Sequence, residues 1–376
     1  MKKDNQEIRH ALFGTSISNW IRLLIENGGI DWDFLPRALF ITFFTLVTLP
    51  SRILFKLLYG SRIEKTCITN PPIFIIGHWR SGTTFLHELI SQDPLSSHVS
   101  LWHTMVPYNF LVLENFKTLM ARFLPTTRPM DMIKVDIDGP YEEEAGLAVL
   151  GRWSFFHCFY FPRNAKRLYN QSVLFEGLNA KEVVRWKKNY LWFLKAITYS
   201  NKGRRLVLKN PANTARIGTL LEIFPEACFI HIYRNPYTVY FSTKRMRTRV
   251  LGQFALQHTT TEELDSLVTD NYIRMMKSFF EQKDQIPKKQ LVEIRYEDLV
   301  EDPMGQVQQV YTKLDLPGLE AAKPAMKKYL DEQAGYVTNV YTFDKAAIRK
   351  IDNNWGFAIK HWGYKPPRLN NTKGNK

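Results

Sequence analysis

The sequence predicts an α/β fold: a doubly wound parallel sheet flanked by helices, with a helical insertion and an N-terminal apolar helical segment. Three observations predict it. Short apolar runs, Ile73–Ile76, Leu206–Leu208 and Cys228–Tyr233, read as strands buried on both faces, and Leu291–Ile294 is a fourth candidate. Helical spacing follows them. Phe85, Leu86, Leu89 and Ile90 share one face, as do Ile217, Leu220, Leu221 and Phe224 before Pro225, and Val307, Val310 and Leu314. About 130 residues separate the first two runs, too many for one crossover, so a helical insertion at about 95–200 is expected to cover the site. Alternating β and α units put the ligand at the carboxyl ends of the strands.

Composition bounds the rest. A chain of 376 residues with 45% hydrophobic content can build a substantial core, so disorder is not the default reading. The simplest parse is an N-terminal extension (1–60), a catalytic domain (61–368) and a polar tail (369–376). Lysine and arginine number 51 against 36 acidic residues, and the net +15 attracts anions: a phosphorylated nucleotide, nucleic acid or an acidic membrane. Cys67, Cys158 and Cys228 form no CxxC pair, so neither a disulfide framework nor a zinc site is expected, and a reducing cytoplasmic setting fits. The histidines are scattered, and HELISQDP lacks the second histidine of H-E-x-x-H, so no metal site is expected.

Ahead of the first strand there is no signal-peptide pattern, but Ala38–Leu49 runs without a charge. That run is short of the roughly 20 residues that span a bilayer. Continued to Leu58 it gains Arg52 and Lys56, which suits an interfacial helix at the inner face of a membrane. The alternatives are a helix packed on the protein's own core and a true span. In the insertion, Trp153–Phe161 is aromatic-rich and would line an apolar acceptor pocket or lie buried without a ligand.

The strongest local signal is Gly77-His78-Trp79-Arg80-Ser81-Gly82-Thr83-Thr84, set between a strand and a helix with P-loop-like glycine spacing. A tight turn there points N–H groups at one spot, and the start of the next helix adds to the attraction for phosphate. Thr83 stands where a Walker A lysine would be. Arg80, inside the loop, offers planar donors to phosphate or sulfate instead.

The run PPIFIIGHWRSGTTFLHELISQDP resembles the 5′-phosphosulfate-binding loop of sulfotransferases that use 3′-phosphoadenosine 5′-phosphosulfate (PAPS). Residues 205–246, from RLVLKNP to FSTKRM, resemble the family's second half, where an arginine at a strand end and a later serine meet the 3′-phosphate; by that match these are Arg234 and Ser242. Arg295-Tyr296-Glu297-Asp298-Leu299 with Asp302-Pro303 is similar to the family's Y-E-D-L…D-P segment near the nucleotide. The resemblance implies a P-loop-like fold, PAPS as co-substrate and a nucleotide site made of Gly77, Trp79, Arg80, Ser81, Gly82, Thr83, Thr84, Arg234, Ser242 and Tyr296. PAPS carries phosphate at two places, and the Arg80 loop and the Arg234/Ser242 pair supply two anion sites.

Sulfuryl transfer needs a base for the acceptor and a cation on the leaving oxygen, and it proceeds without metal where cations balance the developing charge. Lys209, at the end of its strand, matches a lysine that similar sulfotransferases keep. Many relatives read Lys-x-Pro-x-His there, but this chain has Asn213, which is no base. Tyr141-Glu142-Glu143-Glu144 follows Pro140 and resembles a family P-x-E-x-E segment, making Glu142 and Glu144 the candidate bases; the same glutamates also suit a helix start with no catalytic role. Glu144 is expected to point inward with a raised pKa, and His103 and His87 are reserves. The acceptor is expected to be a lipophilic alcohol. The competing readings are a P-loop small-molecule kinase, which Thr83 argues against, and an inactive basic protein that binds membrane or nucleic acid.

Overall fold

Alternate residues of the apolar runs face opposite sides of one sheet, so each run is buried twice over. Phe74, Ile76, Leu206, Leu208 and Phe229 enter one core cluster, while Ile73, Ile75, Val207, Ile230 and Ile232 enter another. These are the contacts of a computed structural model, which describes residues 10–127, 134–334 and 341–367. The polar tail at 369–376 lies outside the described residues.

The sheet holds β1 (Ile73–Ile76), β2 (Ser96–His98), β3 (Arg205–Lys209), β4 (Cys228–Tyr233) and β5 (Leu291–Arg295), all parallel, in the order β2-β3-β1-β4-β5. The chain leaves β1 toward β2 and β3, then crosses back to β4 and β5. The strand order therefore reverses between β1 and β4, where open α/β sheets open a crevice at their carboxyl ends. The four expected strands are present. β2 is an addition, because Ser96–His98 has no apolar run to betray it; it holds the sheet's edge by register with Arg205–Val207 of β3. The helical insertion thus lies between β2 and β3, and its longest helix, Ala180–Ser200, starts on a reciprocal Asn179–Glu182 capping box.

The N-terminal segment forms two helices, Leu35–Val47 and Leu49–Lys65, bent by 43° where Pro50 interrupts the hydrogen-bond ladder. Their inner faces belong to the core: Phe34, Ala38 and Ile41 join the cluster of helices, and Phe55 and Ile63 join a sheet-side cluster. Arg37 is buried and donates to the carbonyls of Ala255 and Gly252 at 2.7 and 2.8 Å. Their outer faces are apolar and open, with Leu39 60%, Phe43 59% and Leu57 77% exposed. No single helix among the described residues is long and apolar enough to cross a membrane.

Candidate active site

Beyond β1 the chain must turn against β4, and only glycine fits. Gly77 sits at φ 144°, where a Cβ would lie 2.3 Å from the Ile232 carbonyl oxygen; Gly82 sits at φ 101°, with Tyr296 in the way of any side chain. The Gly77 N–H donates to Thr214 Oγ1 at 2.7 Å, and the Ser81 hydroxyl and N–H both close onto the His78 carbonyl. Burial holds the His78 imidazole neutral, with its pKa down to about 3. Trp79 turns inward and stacks on Phe155 at 4.0 Å, so it ties the loop to the aromatic run of the insertion. Helix Thr83–Ile90 then starts at Gly82 and aims its free N–H groups back at the loop.

Arg80 has φ 72°, a left-handed conformation that is uncommon for a residue with a side chain and typical of functional strain. Its Nε donates to Ser242 Oγ at 2.9 Å, while the Arg234 guanidinium donates to the Arg80 carbonyl at 3.2 Å and lies 4.0 Å over the Tyr296 ring. The two anion sites read from the sequence are therefore contiguous: the left-handed turn swings Arg80 onto the Arg234/Ser242 pair. Arg80, Gly82, Thr83, Thr84, Arg234 and Tyr296 line a cleft of about 480 Å³. Phe85, Tyr329 and Leu330 add apolar surface to the same cleft. Glu297 keeps this corner in place by accepting from the Asn235 N–H at 3.2 Å and the Tyr364 hydroxyl at 2.7 Å.

On the other side of β1, Lys209 is the last residue of β3, in register with Ile75. Its buried Nζ lies 2.5 Å from Glu142 Oε1. Glu142 precedes helix Glu143–Leu150, and the next two carboxylates are sealed within the protein. Glu143 accepts from the Tyr190 hydroxyl and Asn213 Nδ2, each at 2.9 Å, and burial pushes its pKa up to about 7. Asn213 thus acts as a clamp on Glu143.

Glu144 corrects an expectation. It points inward as foreseen, and burial alone would raise its pKa, but the buried Arg216 guanidinium at 2.7 and 3.1 Å, Asn210 and the Phe155 N–H outweigh burial and hold it below the usual carboxylate value. A carboxylate so engaged is an anchor. His103 is neutral too, driven down to about 3 by burial, and its Nδ1 accepts the Ser100 N–H at 3.0 Å in a capping box. His87 is buried against the Val207 carbonyl, and burial, with help from the Lys209 charge, lowers its pKa. Sequence reasoning missed Arg216 and Tyr190, since nothing in NTARIG or KNYLWF distinguishes a buried partner from a surface residue.

A phosphate-type loop, three convergent basic or hydroxyl side chains and a lysine–glutamate pair at one sheet end accompany a match to the model of the sulfotransferase family over residues 71–321. The chain belongs to the sulfotransferase family. This sulfotransferase is 34% identical over 372 residues to omega-hydroxy-beta-dihydromenaquinone-9 sulfotransferase Stf3 of Mycobacterium bovis, covering 96% of this chain and 94% of the relative. The Mycobacterium tuberculosis protein of the same name matches equally. Among solved structures, sulfotransferase STF9 from Mycobacterium avium is similar in fold, with TM-score 0.68 at 16% identity, over 94% of this chain and 97% of that one. Sulfotransferase STF1 from M. tuberculosis follows at TM-score 0.61 and 19% identity, over 92% and 94%. The chain is therefore a transferase of the P-loop-like α/β class.

Proposed function

We propose that this sulfotransferase moves a sulfuryl group from PAPS to the hydroxyl of a lipophilic alcohol, at the cytoplasmic face of a membrane and without a metal. In this reading Arg80, Arg234 and Ser242 receive the 3′-phosphate. The loop N–H groups with Thr83 and Thr84 receive the 5′-phosphosulfate, and the adenine lies in the cleft against Phe85 and Tyr329. The observation that carries the chemistry is the Lys209–Glu142 pair at 2.5 Å beside the phosphate loop.

The acceptor oxygen attacks sulfur in line, its proton passes to the Glu142 carboxylate, and the bond from sulfur to the bridging oxygen breaks. Adenosine 3′,5′-bisphosphate leaves with that electron pair. Once protonated, Glu142 releases Lys209, whose charge then stabilises the leaving oxygen. One proton transfer thus readies both ends of the reaction.

The name of the 34% identical relative supports a lipid acceptor, and the open apolar faces of helices Leu35–Val47 and Leu49–Lys65 support a membrane surface as the place where it is met. Labelled PAPS incubated with lipid fractions and the purified protein tests this reading. Label moving into a lipid alcohol with release of adenosine 3′,5′-bisphosphate is expected; a requirement for ATP in place of PAPS would overturn it.

A further inference from the structure

Three arginines are buried among the described residues, and two have obvious partners: Arg37 donates to carbonyls, and Arg216 to Glu144. Arg247, 4% exposed on helix Pro236–Phe254, has neither carboxylate nor hydrogen-bond acceptor among the described residues. Its guanidinium instead lies 5.8 Å over the Phe155 ring and 5.9 Å over Phe159. One turn earlier, on the same face, the buried Thr243 hydroxyl is also without a partner.

Buried guanidinium groups are paired in folded proteins because the uncompensated charge destabilises them, so an exception calls for something that binds there. The place is informative. Phe155 is the ring on which Trp79 of the phosphate loop stacks, and its N–H donates to Glu144 in helix Glu143–Leu150, which follows Glu142. Arg247 thus stands one ring behind the loop, within the aromatic run of the insertion. The rings of Phe155 and Phe159 make its surroundings apolar. A neutral oxygen would satisfy one donor, whereas a carboxylate neutralises the charge and takes the planar fork with both oxygens.

We infer that Arg247 and Thr243 form a subsite for a carboxylate carried by the acceptor, so that the acceptors include amphiphilic hydroxy acids. The inference deepens the proposed sulfotransfer to a lipophilic alcohol and rests on it. The acid would fix the chain at one point and so decide which hydroxyl reaches Glu142.

The test sets ω-hydroxy acids, from hydroxybutanoate to hydroxyhexadecanoate, against alkanols of equal length, with PAPS, for the wild type and Arg247→Met. At the best chain length the wild type is expected to favour the hydroxy acid by about 10- to 100-fold in kcat/KM, the range of a charge-assisted hydrogen bond, and Arg247→Met to bring that ratio to about one. Arg247→Lys, which keeps the charge without the fork, should restore part of it. Melting without ligand supplies a second readout: relieved of an unpaired charge, Arg247→Met should melt higher than the wild type, and tetradecanoate should stabilise the wild type alone. An equal preference in both proteins, or a lower melting point with all acceptors impaired alike, would overturn the subsite. If no alcohol is sulfated while tetradecanoate still stabilises only the wild type, the subsite stands and the sulfotransfer reading falls.

Discussion

Two carboxylate–cation pairs, drawn from residues two apart in the chain, differ chiefly in their access to solvent. Glu144 and Arg216 have side chains 1% and 0% exposed and share further bonds with Asn210 and the Phe155 N–H. Glu142 and Lys209 are less enclosed, with Glu142 19% exposed. A pair whose every lone pair is engaged can only hold structure, because moving a proton onto it would strand a buried cation. A pair with one open side can exchange partners. The short acidic segment thus divides its work, with Glu144 fixing the helix and Glu142 left for the role in transfer proposed for it.

The contrast is sharpest in stability. Arg216→Met leaves the Glu144 charge buried and alone, and breaking such a pair costs about 3–5 kcal/mol. Urea unfolding should show this loss, and the double variant Arg216→Met with Glu144→Leu should recover much of it. A loss under about 1 kcal/mol in the single variant would mean the sealed pair is not an anchor.

Activity gives the second break. Lys209→Ala should lower kcat by about 100- to 1000-fold, while the affinity for adenosine 3′,5′-bisphosphate changes little, because the proposed contact strengthens as the leaving oxygen gains charge. Glu142→Gln should fall in the same range as a lost general base. If each works only through the other, the double variant is no worse than either single one. A weakened donor complex with kcat intact would instead make Lys209 a binding residue.

Glu143, between the two, offers a pH handle. Its folded pKa is about 7, raised by burial from the ordinary 4.5. Between those values the folded protein holds a proton that the unfolded chain releases, so its contribution is full below 4.5, is lost as pH rises through 7, and stays constant above. The loss is at most about 3 kcal/mol. His78 and His103, buried neutral, act oppositely by losing stability as pH falls, so the wild type must be compared with Glu143→Gln, where the first slope alone vanishes. An unchanged slope in that variant would place the titration elsewhere.

What was legible follows from what a linear pattern encodes. Ile73–Ile76 and Cys228–Tyr233 show as strands because burial on both faces demands continuous apolar runs, and the Gly77–Gly82 loop shows because its backbone demands glycine. Ser96–His98 is a strand by pairing alone and leaves no such mark. The loop between β1 and its helix and the place of Lys209 at the end of β3 were readable from motif and position, whereas the pKa of Glu144 was misjudged, since it depends on Arg216, a residue distant in sequence and ordinary in context. Arg247 was silent for the same reason: being unpaired is a property of surroundings.

The distinction between sealed and open returns on the N-terminal helices, with effects that are smaller. Because Phe34, Ile41 and Phe55 are core residues, deleting residues 1–60 would open the protein and say nothing of membranes; only outer-face substitutions separate the roles. Phe43→Ser with Leu57→Ser removes two exposed side chains worth about 1.5–3 kcal/mol each if a bilayer buries them, and should leave stability within about 0.5 kcal/mol. Flotation with phosphatidylglycerol vesicles should show the bound fraction fall. Of the two basic residues expected at headgroups, Arg52 is turned back onto Thr48 Oγ1 at 2.7 Å and over the Tyr108 ring, and only Lys56 is exposed. Lys56→Gln should therefore weaken vesicle binding by about 1 kcal/mol, an effect that high salt erases, while Arg52→Gln should change stability more than binding. If both the double variant and Lys56→Gln float like the wild type, these helices cover no lipid, and the open apolar face belongs to another partner.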